Sequence, residues 1–237
     1  MAFNYSPKVV KDGLVFYYDG ANVKSYSGSG TVLTDLSTFG NNGTLNNSPS
    51  FSSDKLGGIV FDGANDYITV SDSTSLRPST TLSLDVCFKM TTKGTYNTVI
   101  CKPASNAPWG PPYLSYMLRV QSNEMQFGYN RNSNYSFVNH TNNYLINTIY
   151  HVILTYNLST GACKFYLNGT NVVDSTTTTG TAITYGAQPL LLGAGFGSSP
   201  VGELFTGTIY SAKVYNRVLT ANESLQNYYA IRNRFNI

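Results

Sequence analysis

The sequence predicts an all-β protein: two antiparallel sheets packed as a jelly-roll sandwich, with one short C-terminal helix. Three observations carry that prediction. Apolar and polar residues alternate with period two through most of the chain. Turn signals rich in Gly, Asn, Asp and Ser recur at short spacing, with little helical pattern between them. A lone capping box, Thr220-Ala221-Asn222-Glu223, precedes the last apolar residues.

Taken in chain order, GGIVFDGANDYITV (57–70) places two apolar strand-like runs around a cluster of Asp, Gly and Asn. In TLSLDVCFKM, Leu82, Leu84, Val86, Phe88 and Met90 share one face, and Thr81, Ser83, Asp85, Cys87 and Lys89 share the other. YLSYMLRV and EMQFGYN read as a hairpin around Ser122-Asn123. In IYHVILTYN, Tyr150, Val152, Leu154 and Tyr156 oppose Ile149, His151, Ile153 and Thr155. ACKFYLNG runs into Asn168-Gly169, a dipeptide suited to a two-residue hairpin turn because both residues accept positive φ. DSTTTTG (174–180) reads as an exposed loop. Leu225, Tyr228, Tyr229 and Arg232 then follow at helical spacing. No repeat or linker divides the chain, so the organisation is an N-terminal arm over 1–12, one sandwich over 13–219, and a helix over 220–237 packed on the same domain.

At 237 residues the chain is long enough to bury a core without staples. Only 11% of residues are charged while 14% are aromatic, which excludes disorder and describes a polar, weakly charged surface suited to neutral glycans or other proteins. The net charge of +3 comes without a stripe of Lys and Arg, so nucleic acid is not an expected partner. Arg232 and Arg234 near the chain end more simply complement the helix dipole. Three cysteines, Cys87, Cys101 and Cys163, show neither disulfide nor zinc spacing. The N-terminus lacks the apolar run of a secretory signal and no stretch reaches transmembrane length, so synthesis in a reducing cytoplasm without membrane insertion is expected. The sequon at Asn168 then reflects composition.

Several segments together resemble the laminin-G-like, or concanavalin A-like lectin/glucanase, jelly-roll family. They are GLVFYYDGANVKSYSGSGTVLTDLSTFGNNGTL, GGIVFDGANDYITV, TLSLDVCFKM, YHVILTYNLSTGACKFYLNGTNV and LFTGTIYSAKVYNRVLTANESLQNYYAIRNRF. Their order and spacing, from Gly13 to Phe235, make the resemblance specific. The opening MAFNYSPKVVKDGLVFYYD and the ending ESLQNYYAIRNRF are similar to versions of the domain in virion proteins of tailed bacteriophages. That resemblance implies a particle-surface protein, a capsid decoration, head fibre or tail adhesin, with other virion proteins and further copies of itself as partners. Two departures stand out: Phe88 where relatives often carry Trp, and Tyr210-Ser211 after Ile209 where an acidic residue is frequent.

Two candidate sites follow. Asp62, Asn65 and Asp66, with Asp19 from the first strand, offer oxygen ligands for a structural calcium ion, as loops of the resembled family often do. The alternative is a turn in which Gly63 and Asn65 reverse the chain and Asp62 caps its amides, favoured because no more than three side-chain ligands can be placed together. The second site is the loop NAPWGPPY (106–113). Trp109 with Tyr113, Tyr129 and Tyr135 would form an aromatic platform for the apolar faces of sugars. Core packing or subunit contact by Trp109 are the other readings.

Catalysis is not expected. Glycoside hydrolysis needs two facing carboxylates; the sequence has no E-x-D-x-x-E motif, and Glu124, Glu203 and Glu223 look isolated. His151 reads as a fixed hydrogen-bonding residue on a sheet face, and His140 has no evident partner, so triad chemistry finds no support. GAGFGSS (193–199) lacks the Lys and helix of a phosphate loop. The leading expectation is a non-enzymatic virion surface protein whose exposed loops either contact host or environmental glycans or reinforce the shell. A free calcium-dependent lectin and, behind it, a glycoside hydrolase are its rivals.

Overall fold

The computed structural model describes residues 7–105, 113–131, 134–195 and 202–237. Six short strands come first: β1 (Leu14–Asp19), β2 (Val32–Leu33), β3 (Gly43–Asn46), β4 (Ser50–Ser52), β5 (Gly58–Asp62) and β6 (Tyr67–Val70). Longer ones follow: β7 (Thr81–Met90), β8 (Asn97–Pro103), β9 (Leu114–Gln121), β10 (Glu124–Arg131), β11 (Asn134–Thr141) and β12 (Ile149–Asn157). The chain closes with β13 (Ala162–Leu167), β14 (Thr170–Thr176), β15 (Leu190–Leu192), β16 (Thr206–Tyr215) and the helix α1 (Ala221–Phe235). The expected jelly-roll sandwich with one helix is what forms. Among the described residues no helix is long and apolar enough to cross a membrane.

The first sheet runs β14-β13-β12-β7-β16-β5-β4, and the second runs β11-β10-β9-β8-β15-β6-β3-β2, every pair antiparallel. Strand β16 is shared. Its first half pairs with β5, its second half with β1, and its register against β7 shifts between Ile209 and Ser211. Hairpins form where the sequence placed them: Ser122 takes φ +53° between β9 and β10, and Asn168-Gly169 take +47° and +81° between β13 and β14. The segment 174–180 is only partly loop, because β14 extends to Thr176 and Asp174 pairs with Lys164.

The predicted inner faces of β7 and β12 meet Tyr116, Leu118, Val120, Met125 and Phe127 of the second sheet in one core. At about 1.5–3 kcal/mol for each large apolar side chain removed from water, this layer supplies the main drive to fold. All three cysteines are buried, and none forms a disulfide among the described residues.

Asp35, in the TDLS segment, is a local hub. Its carboxylate accepts backbone N–H bonds from Tyr17, Ser37 and Asn41, each at 2.9 Å, and so ties the turn to β1.

The outer face of the first sheet carries polar residues at Asp85, His151 and Lys213, and α1 packs there. The capping box forms as expected, with the Thr220 side chain accepting from Glu223 N–H. The buried face of the helix differs from the predicted one. Leu225, Tyr228, Tyr229 and Arg232 gave way to Ser224, Asn227, Ile231 and Phe235, because the sheet beneath needs a polar partner for Asp85 and Asn227 supplies it at 2.8 Å. Tyr229 and Arg232 stay exposed.

Arg217 grips Glu223 through both terminal nitrogens, at 2.9 and 2.6 Å, and pulls its carboxyl from an ordinary 4.5 down to about 2. A depressed carboxyl contributes stability that is complete above its unfolded value and lost as pH falls through the folded one. Urea melts between pH 6 and 2 should therefore show Glu223→Gln costing about 1 kcal/mol at pH 6, after allowance for solvent screening, and nothing at pH 2. An unchanged difference across that range would refute the role.

Candidate functional site

The turn between β5 and β6 is a corner of the sandwich, since β5 belongs to the first sheet and β6 to the second. Asp62 Oδ1 accepts N–H bonds from Ala64 at 2.7 Å and Asn65 at 3.3 Å, and these amides lower its pKa. Asp66 is buried, and its Oδ2 accepts from Asp62 N–H at 3.2 Å; burial raises its pKa. The Asn65 carbonyl takes the Asn47 amide at 2.7 Å.

Asp19 is not with them. It pairs with Ser211 on β16 while Asp62 pairs with Thr206, and its Oδ1 is held by Arg234 at 2.7 Å. Among the described residues no group of three or more His, Cys, Asp or Glu side chains stands close enough to hold a metal ion. Two of the four side chains named for calcium are already committed to amides and a third to a guanidinium. The donor set does not fit the ion, and the corner is built as a capped turn.

The aromatic platform is only partly assembled. Trp109 lies outside the described residues. Tyr113 and Tyr135 meet edge to face with ring centroids 4.9 Å apart, and Tyr135, 45% exposed, stands next to Phe137 at 5.8 Å. Tyr129 does not join them. Period-two alternation on β10 sends it into the core, where it packs on Phe127 and Tyr156.

Its neighbour Asn130 faces outward instead, directly opposite Tyr135 in the ladder. Asn130 is fully buried, and among the described residues neither its amide nitrogen nor its amide oxygen has a hydrogen-bond partner. A buried unpaired amide costs about 1–3 kcal/mol. Sequence reasoning missed it, because an Asn in an Asn-rich chain carries no signal until its neighbours are known.

The same outer face holds a charged network. Arg119, almost buried, donates to Glu203 at 2.6 Å and to Gln126 at 2.8 Å, and Gln126 donates to Glu124 at 2.9 Å. Its guanidinium lies over Tyr96 at 4.4 Å and Phe137 at 4.7 Å. Glu203 also accepts from Thr98 at 2.8 Å; burial raises its pKa, and Arg119 and Thr98 oppose that rise. The expectation of isolated acids is thus corrected: Glu124 and Glu203 are joined through Arg119 and Gln126, both carboxylates bonded to protein donors.

His151 makes the fixed bond expected of it, Nε2 to Asp85 Oδ1 at 3.0 Å beneath α1. His140, for which no partner was foreseen, bonds to the Tyr144 hydroxyl, and burial lowers its pKa. His151 lies opposite Cys87 in the β7–β12 ladder, but its ring is bonded to Asp85 and burial pushes the Cys87 thiol up, so this pair is not arranged as an activated nucleophile.

The described geometry can be set beside known proteins. Residues 62–223 match the family model described as the concanavalin A-like lectin/glucanases superfamily. A comparison with curated proteins found no match. Among solved structures, domain 4 of AbnA, a GH43 extracellular arabinanase from Geobacillus stearothermophilus solved with arabinotriose, has a TM-score of 0.66 at 16% identity, covering 92% of this chain and 100% of that one. A botulinum neurotoxin type C structure, described as dependent for cell entry on two ganglioside molecules, gives 0.70 at 11% identity over 94% of this chain and 52% of that one. The binding domain of Paraclostridial Mosquitocidal Protein 1 gives 0.67 at 14% identity over 92% and 52%. The chain therefore spans about half the length of the toxin structures it matches. At these identities the likeness is one of fold.

Proposed function

Because this chain belongs to the concanavalin A-like lectin/glucanase superfamily, we propose that it is a non-catalytic glycan-binding domain. Its contact surface is the outer face of the second sheet around Tyr113 and Tyr135, which cover the buried Asn130 side of β10. Tyr135 carries the reading: it is exposed, and its ring meets Tyr113 edge to face. The pair supplies an aromatic surface for the apolar C–H face of a pyranose. A related fold solved with arabinotriose supports the class of ligand. The proposal extends to place and partners. The terminal segments resemble those of tailed-phage virion proteins, which favours a particle-surface role as a decoration or adhesin, self-associated and bound to other virion proteins.

The test is a glycan array on the purified chain in calcium and in chelator, followed by titration of the best ligand. Binding in both buffers is expected, weakened at least about tenfold by Tyr135→Ala and by Tyr113→Ala, matching the loss of one good contact. Unchanged melting temperatures would show that these variants remain folded. Binding abolished by chelator would instead favour a calcium-dependent lectin. Release of reducing ends from a bound glucan would favour hydrolysis by the Glu124–Glu203 network. No binding in either buffer would leave only the particle role, which co-purification with virions tests.

A further inference from the structure

A cavity of about 600 Å³ lies on the opposite side of the molecule from that face, between the N-terminal segment, β1, the turn after Asp35 and α1. Its floor is Leu14, Tyr17 and Ile231, and its rim carries Lys8, Lys11 and Lys24. The walls are fixed before any ligand arrives. Val10 N–H donates to Asn227 Oδ1 at 2.8 Å, and Gln226 donates to the Lys8 carbonyl at 2.7 Å, so the N-terminal segment is strapped to the helix. Leu36 N–H donates to the Tyr17 carbonyl at 2.9 Å, which fixes the turn to β1.

The charge balance is one-sided. None of the three lysines makes an ion pair among the described residues. The one acid in the lining, Asp19, is neutralised by Arg234 at 2.7 Å. Tyr17 donates its hydroxyl to Asp19 at 3.1 Å, which anchors an aromatic ring at the cavity wall. Unpaired cations around a partly apolar, preformed hollow select a ligand with an anionic group and an apolar face.

We propose that this cavity binds an acidic sugar unit, its carboxylate or phosphate taken by Lys8, Lys11 and Lys24 and its ring packed on Tyr17 and Leu14. The site is separate from the one proposed above and stands or falls without it. The cavity is large enough to admit such a sugar unit with room to spare, and a lysine ammonium serves either anion as a point charge.

The full chain would be titrated by NMR or calorimetry with galacturonic acid, glucose 6-phosphate, neutral glucose and inorganic phosphate. Binding by one or both acidic sugars, at least about tenfold tighter than by glucose, is expected, and which of them binds identifies the anion. It should weaken severalfold when salt rises from about 0.05 to about 0.5 M, as screening of exposed charges requires. The triple variant Lys8→Gln, Lys11→Gln, Lys24→Gln should lose the acidic sugar, while Tyr135→Ala leaves it unchanged. Equal binding of glucose, binding of inorganic phosphate as tight as glucose 6-phosphate, or a triple variant that binds like the parent would each overturn the assignment. Because the rim lysines are exposed and their ammonium groups make no structural bonds among the described residues, the variant should melt with the parent, and a matching thermal scan checks this.

Discussion

Lys213→Met should lower stability by about 3–5 kcal/mol, the cost of leaving one member of a buried ion pair without its partner. The Asp85 carboxylate is fully enclosed between the first sheet and α1. Its Oδ1 receives Lys213 Nζ at 2.9 Å and His151 Nε2 at 3.0 Å, and its Oδ2 receives Asn227 Nδ2 at 2.8 Å. Burial alone would push this carboxyl up; Lys213 and then His151 outweigh it and hold the group well below the usual carboxylate range. With Lys213 gone, burial dominates and the sign of the linkage reverses. In the parent, a depressed carboxyl makes stability fall as pH drops. In the variant, the carboxyl sits above its unfolded value, so its penalty is relieved as pH drops. Urea melts at pH 7 and pH 4.5 should therefore show the variant's deficit shrinking in acid. Thermal scans at pH 7 should show a fall of roughly 10 °C for a chain of this size. Asp85→Asn added to Lys213→Met should recover most of the loss, since the amide keeps an acceptor for Asn227 without the charge. A single variant within about 1 kcal/mol of the parent at pH 7 would mean that water reaches Asp85.

That network also shows where sequence reading stops. The inner faces of β7 and β12 were legible because period two needs no knowledge of neighbours. Hairpins at Ser122 and Asn168-Gly169 were legible because positive φ selects few residues. What Asp85, Lys213 and Asn227 do was not legible: they are separated by more than a hundred residues or lie on different elements, and each looks like a surface residue in its own segment. The helix was misread for the same reason, since apolar spacing pointed to Tyr229 while an amide is what the sheet required. At the candidate site, Tyr113 and Tyr135 were grouped with the Trp109 loop as aromatic residues, and their rings do meet. Tyr129 was misassigned because the outward side of a strand depends on register, and one residue of offset separates it from Asn130. Asp19 and Asp62 were grouped by residue type alone, although the shared strand β16 holds them at different pairing positions.

Gly57→Ala should cost on the order of 3 kcal/mol or more, and Gly40→Ala is its control. Both glycines have positive φ, +133° and +70°, so both substitutions carry a backbone penalty, about 1 kcal/mol at the unobstructed site. Their surroundings differ. A Cβ on Gly40 meets nothing within 4 Å, whereas one on Gly57 would lie 2.2 Å from the backbone oxygen of Gly20. No rotamer change relieves a clash with backbone, so the end of β1 and the start of β5 would have to separate. That junction also receives the end of the helix. Arg234 donates to the carbonyls of Lys55 and Gly57 and pairs with Asp19 at 2.7 Å, so one guanidinium joins β1, the 55–57 turn and α1. Displacing Gly57 should loosen the final turn of α1 before the sheets themselves unfold. Hydrogen exchange should then report faster opening for amides near Phe235 in Gly57→Ala and parent-like rates in Gly40→Ala. Equal destabilisation of the two variants would show that backbone conformation alone sets the cost. A larger loss at Gly57 with faster exchange near Phe235 would show that close approach at this junction is what holds the helix on the sheet.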